Sequence, residues 1–293
     1  MPSMLERYLV RYFIAVVDEG SFSRAAASSG VTQPTLSAGI AKLERLTGTP
    51  LFERNNRRVE LTRAGARFVD HARAIERAFG GAEQVASGDA PAQMIRIGIA
   101  STLPAATVGT AVAAAHIADP QARLEVLDGR MRDLLQRLDR GRLDAVIGPV
   151  PPSREAEREL AMEDYAMALP ATHPLAGRDS VTADDLAGET MLVRRNCEVL
   201  ADTSRFFTAR GVRPFMAART TDDERAMALV AAGLAITLVP RCYAREGIAL
   251  VRVEEFDIER RIGLVSDPAA MARIGASPVL IALCESLQST LGT

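Results

Sequence analysis

The 293-residue sequence contains no tryptophan, three histidines, three cysteines and one lysine, Lys42. Each scarcity removes a class of function. Cys197, Cys242 and Cys284 are too widely spaced for a disulfide framework or for paired zinc-ligand spacing. His71, His116 and His173 share no motif, so metal-dependent catalysis has no support, and neither a metal nor a cofactor is expected. No nucleophile elbow, phosphate-binding glycine loop or paired catalytic motif occurs, which argues against an enzyme. The opening residues carry Glu6 and Arg7 where a signal peptide needs an apolar core. The longest uncharged apolar run, Ala226 to Val239, falls short of the ~20 residues of a membrane span and is interrupted by Gly233. A cytoplasmic protein with no membrane partner is the expectation.

What is present is ordinary for a globular chain: 48% hydrophobic and 25% charged residues, over a length suited to about two domains. The charge is unevenly placed. Residues 1–65 hold nine Arg or Lys against six Asp or Glu, and the remainder holds twenty-six against thirty-one. A front end at +3 on a body at −5 suits contact between that end and a polyanion.

Helical spacing of Leu9, Tyr12, Phe13 and Val16 predicts a first helix ending at Glu19-Gly20. Ser21 caps a second, with Phe22, Ala25 and Ala26 inward and a stop at Gly30. Thr32 caps a third that carries Pro34 in its first turn, where a missing N–H does no harm. That helix runs to about Leu46, with Leu36, Ile40 and Leu43 as its apolar stripe. Thr35, Ala38, Lys42 and Arg45 project from the other side. A short turn around Gly30-Val31 makes the second and third helices a helix-turn-helix, whose second helix enters the major groove by its N-terminal residues. Gln33, Thr35 and Ser37 supply hydrogen-bonding groups there, and Gln33 can pair bidentately with adenine. Ala38 and Gly39 are small enough for close approach to the bases. A hairpin over residues 51–61, turning at Asn55-Asn56, brings Arg54, Arg57 and Arg58 to its tip. Such a basic wing suits phosphates or a narrow minor groove.

The run from Phe13 to Ala26 resembles the opening of the LysR-type transcriptional regulators. The likeness continues through Val31 to Ser37, Leu43 to Gly48, Leu51 to Arg54 and Leu61 to Gly65. It implies a DNA-binding regulator of promoter activity that forms a homodimer, commonly arranged as a tetramer, on double-stranded DNA. It also implies DNA contact from Ser23, Arg24, Thr32, Gln33, Pro34, Thr35, Ser37, Ala38 and Lys42, with Arg54, Arg57 and Arg58 on the wing. The sequence departs from the family pattern where Ala38-Gly39 follow Ser37 in place of a common Arg-Gln, which removes a phosphate or base contact.

A long helix is expected from Thr62 to about Ser87. Phe68, Ile75 and Ala82 form one seven-residue series and Ala64, His71, Ala78 and Val85 another, giving an a/d seam that calls for a partner helix. Ser87 to Ala92 breaks it and acts as a hinge. From Met94 onward strands and helices alternate: strands at 94–100, 122–127 and 143–147, with helices at 104–118 and 131–138. This order implies a parallel sheet with helices on its faces. A second round places strands near 165–169, 190–193 and 235–239, helices near 199–210 and 222–232, a return strand at 260–265 and a final helix at 279–291. The expected fold is therefore mixed: an all-α winged helix-turn-helix (1–62), a linker helix and hinge (63–93), and an α/β regulatory domain (94–293). The last resembles the family's two-lobed effector domain, with lobe I at about 94–163 and 267–293 and lobe II at about 164–266.

A ligand in such a fold sits in the cleft beyond the carboxyl ends of the strands, against helix N-termini. Ser101 and Thr102, Asp128, and Arg194 and Asn196 lie at or just beyond strand ends, and Thr220 and Thr221 precede the helix expected near Asp222. They make candidate walls for a small effector, an anion or carboxylate in particular. Helix capping is the alternative for each Ser or Thr, and their convergence on one cleft is implied by the resemblance. Cys197 falls where peroxide-responsive relatives carry a reactive cysteine. Those relatives carry a second cysteine shortly downstream, whereas the next here is Cys242, so a structural role for Cys197 is expected.

Overall fold

The computed structural model describes residues 5–53, 59–86 and 94–292. The chain divides into two compact units, Met1–Pro91 and Ala92–Thr293.

In the first unit, α1 (Arg7–Glu19), α2 (Phe22–Ser28) and α3 (Gln33–Thr47) are followed by strands β1 (Phe52–Glu53) and β2 (Glu60–Leu61) and by α4 (Arg63–Ala86). Among its described residues the only strands are this antiparallel pair, in which Phe52 faces Leu61. Gly20 ends α1 in the left-handed conformation at φ 59° and returns its N–H to the Val16 carbonyl, a conformation that glycine adopts without strain. Apolar residues at helical spacing converge on Phe13. Its ring lies 5.1 Å from that of Phe68 on α4 and 5.2 Å from that of Phe52 on β1. One side chain thus fixes helix, wing and linker to one another. The Glu44 carboxylate accepts the Leu51 and Phe52 N–H groups at 2.8 and 3.2 Å, anchoring the start of the wing to α3. Thr62 caps α4 by accepting the Gly65 N–H at 3.0 Å. A Cβ at Gly65 would stand 2.0 Å from the Leu51 carbonyl oxygen, so only glycine fits there.

The seam expected along α4 is divided. Phe68 and Ile75 pack on the core of their own unit, beside the buried Ala72. His71 and Ala78 are exposed. The helix therefore uses part of its apolar surface to hold α1 and belongs to the first unit, not to a separate connector. The seam residues Ala82 and Val85 and the hinge at 87–92 cannot be compared in the same way: the two side chains and residues 87–93 lie outside the described set.

The second unit contains β3 (Met94–Ala100), α5 (Ala105–Ala118), β4 (Arg123–Gly129), α6 (Met131–Asp139), β5 (Ala145–Pro149) and β6 (Arg158–Pro170). After these come β7 (Ser180–Val181), β8 (Thr190–Arg194), α7 (Leu200–Ala209), β9 (Phe215–Thr220), α8 (Asp223–Ala231) and β10 (Thr237–Pro240). The chain ends with β11 (Ile248–Val253), β12 (Glu259–Ser266), α9 (Pro268–Ile274) and α10 (Pro278–Leu291). One sheet runs β4-β3-β5-β12-β6-β11-β7, with β10 also paired to β6. The first three strands are parallel, and β12 is antiparallel to both β5 and β6.

The thirteen-residue β6 explains the two lobes. Its first half pairs with β12, and its second half with β10 and β11. It thus passes from one lobe to the other. In lobe I, Ile95, Ile97 and Ile99 alternate onto a core covered by α5 and α10. Gly98 on the opposite face admits α6, since a Cβ there would meet Leu134 at 3.0 Å and Leu143 at 2.8 Å. Because β12 pairs with β5 from Ile262 to Ser266, it belongs to lobe I. Lobe II therefore ends before 259, not at 266. Lobe II holds two further apolar clusters, one including α7 and one α8. No single described helix is long and apolar enough to cross a membrane.

Candidate effector cleft and nucleic-acid interface

The first turn of α3 carries polar groups at the surface. Thr32 caps α3, accepting the Thr35 N–H at 3.4 Å, and its hydroxyl lies 2.8 Å from that of Thr35. Ser23, Arg24, Thr32, Gln33, Pro34, Thr35 and Ala38 are exposed and Ser37 is half-buried. Among the described residues, the Gln33 amide reaches no group closer than the Ser37 hydroxyl at 3.5 Å. Among the described residues these side-chain groups bond only to one another and to the cap, which leaves hydrogen-bonding capacity for another molecule.

Two neighbours behave differently. Gly39 is buried, and a Cβ there would meet the Tyr12 ring at 2.6 Å. Its smallness therefore serves the α1–α3 contact, not an approach to bases. Lys42 donates to Glu6 at 2.6 Å and to the Tyr8 hydroxyl at 3.2 Å. Its pKa is raised, first by the Glu6 hydrogen bond and then by Tyr8. Its charge is thus matched within the domain, which sets it apart from the open residues of the first turn. Arg54, Arg57 and Arg58 lie outside the described residues.

In the second unit, three of the seven candidate effector residues meet at the junction of the lobes. The Asn196 amide donates to the Thr221 carbonyl at 2.9 Å in lobe II and to the Ser101 hydroxyl at 3.4 Å in lobe I. Its oxygen accepts from Arg130 of lobe I at 2.7 Å. Nearby, Glu224 in the first turn of α8 accepts the Ala105 N–H at the start of α5, 3.1 Å away. Helix N-termini attract anions through free N–H groups and the helix dipole. Here a carboxylate from the opposite lobe already occupies that position. The Glu224 pKa is lowered, first by its hydrogen bonds to Arg245, with burial opposing and the Ala105 N–H assisting.

The other four candidates do different things. Thr220 receives the Asp222 N–H at 3.0 Å, a local turn. Thr102 is buried, and its carbonyl accepts from Arg260 at 3.2 Å. Asp128 is exposed near the carboxyl end of β4, with its pKa raised by partial burial against a backbone bond from Gly129. Arg194 is a correction. It is buried, with Nε on Asp223 Oδ1 at 2.9 Å, Nη2 on Asp223 Oδ2, and Nη1 on the Leu238 carbonyl at 3.1 Å. Tyr243 adds its hydroxyl to the same carboxylate at 3.2 Å. A guanidinium so engaged is a structural ion pair, not an effector clamp.

Arg260, which no sequence motif marked, is a second such hub. It donates to Glu163 and Glu198 at 2.7 Å each and to the Cys242 sulfur at 3.2 Å. Strand parity carried a signal for both arginines: Arg260 shares a face with Ile262 and Leu264, and Arg194 with Leu192. Glu224 and Arg130, also unanticipated, had no comparable mark. Cys197 sits one residue beyond Asn196. Burial pushes its pKa up to about 11, with Arg194 opposing and Glu198 adding to the rise.

Comparison with known proteins agrees with this architecture. Residues 8–66 match the bacterial regulatory helix-turn-helix proteins of the lysR family. Residues 88–285 match the LysR substrate binding domain. The DNA-binding transcriptional dual regulator OxyR of Escherichia coli K12 is 32% identical over 274 residues, covering 90% of each chain. A probable hydrogen peroxide-inducible genes activator of Mycobacterium avium is 33% identical over 267 residues, covering 87% of this chain and 86% of that one. A full-length OxyR variant from Pseudomonas aeruginosa superposes with a TM-score of 0.62 at 24% identity, over 97% of this chain and 95% of the other. The chain belongs to the LysR family of transcription regulators, non-enzymatic DNA-binding proteins controlled by a small molecule.

Proposed function

We propose that residues 1–62 read promoter DNA through the open first turn of α3, and that residues 94–293 respond to a small carboxylate bound between the lobes. The observation that carries the effector reading is the Glu224 carboxylate on the α5 N-terminus. A position that takes a carboxylate from the protein suits one from a ligand, which would displace Glu224 and shift the balance of lobe closure. Ser101, Asn196 and Thr221 border that position, with Asp128 beside it. On the DNA side Gln33, Thr35, Ser37 and Ala38 face base edges, while Ser23, Arg24, Thr32 and Pro34 approach the backbone. The wing arginines Arg54, Arg57 and Arg58 supply the salt-dependent part of the affinity.

Oligomerisation follows the same logic. Tyr8 and Phe79 are 40% and 46% exposed on α1 and α4, which supports a dimer through the linker helix. Ile117 is 78% exposed and the edge strand β4 bears an exposed Val126, which supports a second contact through the regulatory domain and hence a tetramer. Two DNA-reading heads then engage two half-sites together.

A second reading is peroxide sensing at Cys197, favoured by the name of the Mycobacterium avium relative. A thiol held as the neutral form is a poor nucleophile, which weighs against it. Peroxide treatment that altered DNA binding of the wild-type protein but not of Cys197→Ser would carry this reading, and an unchanged wild-type response removes it.

The test is fluorescence-anisotropy binding to the DNA just upstream of the protein's own gene, against unrelated competitor DNA, with a panel of small carboxylates. Sequence-selective binding altered by at least one carboxylate, and altered without ligand by Glu224→Ala, is the expected result. If Glu224→Ala behaves as wild type and no carboxylate shifts binding or melting temperature, the cleft is not an anion sensor.

A further inference from the structure

Lobe II holds a cavity of about 290 Å3 between α7 and the β8–β9 pair, apart from the interlobe junction. Met191, Cys197, Phe207, Val212, Met216 and Leu238 supply its apolar wall. Neither Ser101, Asn196, Thr221 nor Glu224 lines it. Close-packed interiors leave few voids larger than a water molecule, and an apolar void of roughly 150 Å3 already admits benzene. This cavity has room for a bicyclic molecule.

The polar groups around it define what it can take. Arg194 contributes to the wall, but its nitrogens are bound to Asp223 and the Leu238 carbonyl. The Thr203 and Thr237 hydroxyls bond the Val199 and Leu192 carbonyls, each at 2.9 Å. The remaining cation, Arg213, is exposed. Among the described lining residues, therefore, no unpaired charge points into the apolar part. The exposed Ser204 and Thr208 of α7 also line the cavity, and among the described residues their hydroxyls make no hydrogen bond. We propose that this cavity is a second ligand site, which takes a small uncharged aromatic molecule carrying one hydrogen-bonding group for those hydroxyls. Its wall includes Cys197, the residue next to the lobe-bridging Asn196, so occupancy bears on the segment that joins the lobes. The proposal does not depend on the anion reading of the cleft.

Indole serves as the probe, with the full-length protein. Ligand-observed NMR reports binding, and maleimide labelling mapped by peptide mass spectrometry reports the accessibility of Cys197. At roughly ten times its Kd, bound indole should slow Cys197 labelling by about tenfold, by simple occupancy. Ser204→Trp, which fills the cavity from the helix side, should abolish both signals, whereas Asn196→Ala should keep both. Thr208→Trp provides the same blockade should Ser204→Trp fail to fold. Absence of indole binding, Cys197 labelling that indole leaves unchanged, or protection that survives the tryptophan variants would each overturn the assignment. Loss of protection in Asn196→Ala alone would do so too, because it would move the ligand to the interlobe cleft.

Discussion

The start of α3 and the junction of the lobes are both rich in polar side chains, yet they use them in opposite ways. Gln33, Thr35 and Ala38 stand in solvent, and among the described residues the Gln33 and Thr35 side chains bond only to the neighbouring Ser37 and Thr32 hydroxyls. Arg194 and Arg260 are buried, with every nitrogen already engaged by protein. A surface meant for an external partner leaves its donors free. A hub that fixes the geometry of a domain consumes them. Availability of hydrogen-bonding groups, more than residue type, separates recognition from architecture here.

The largest expected effect comes from breaking the second kind of site. Arg194→Met leaves Asp223 buried beside Tyr243 with its main counter-charge gone. Removing one partner of a buried ion pair costs about 3–5 kcal/mol, whereas replacing both by apolar groups can be nearly neutral. Denaturant unfolding of the regulatory unit should therefore show a large loss for Arg194→Met and a smaller one for Arg194→Met combined with Asp223→Leu. If Arg194→Met unfolds as the wild type does and only an effector response is lost, the arginine is a ligand group after all and the comparison fails.

The same contrast explains how far the sequence could be read. Caps, turns and apolar spacing are local, so Ser21, Thr32, Gly20 and the elements of the first unit could be placed from neighbours alone. In the regulatory unit the strands that start each βα step were legible for the same reason. The crossover in β6 was not, because only its later half was recognisable as a strand, and the pairing of Arg158–Asp164 with β12 is a contact between residues about a hundred positions apart. Strands β9 and β11 were missed as well. The heptad in α4 misled in part: repeats of Phe68 and Ile75 specify an apolar stripe without saying whether the partner is another subunit or α1. In the cleft, Ser101 and Asn196 could be nominated because each follows a strand, and Thr221 because it precedes a helix. Glu224 could not, since its significance lies in a bond to Ala105 across 119 residues of chain.

An intermediate effect sharpens the recognition side. Gln33→Ala and Thr35→Ala should each change the ranking of operator variants, by up to about 1–3 kcal/mol at the base pair contacted if the group reads a base edge. Lys42→Ala should leave that ranking as it is, because its ammonium is held by Glu6 and Tyr8. The measurement is anisotropy competition with single-base-pair substitutions in the operator. Uniform weakening by Gln33→Ala would make it a phosphate contact, and re-ranking by Lys42→Ala would show that the Glu6 pair opens on DNA.

The smallest effect concerns Cys197, which stands between the two kinds of site: next to the bridging Asn196, yet packed in the apolar cluster of lobe II. Its thiol ionises near 11 in the folded protein, against an ordinary value of 9.0. The unfolded chain therefore loses this proton first. The stability contributed by keeping the thiol neutral is complete below pH 9 and is lost as pH rises towards 11. Cys284 and Cys242, raised to about 11 and about 12, act in the same direction, so the share of Cys197 must be read by difference. The melting-temperature gap between wild type and Cys197→Ser should be constant below pH 9 and should move steadily against the wild type from there to pH 11. Parallel curves would mean that the thiol ionises alike in both states. It would then be open enough to react at its ordinary pKa, and the case for peroxide sensing at this residue would gain what burial now denies it.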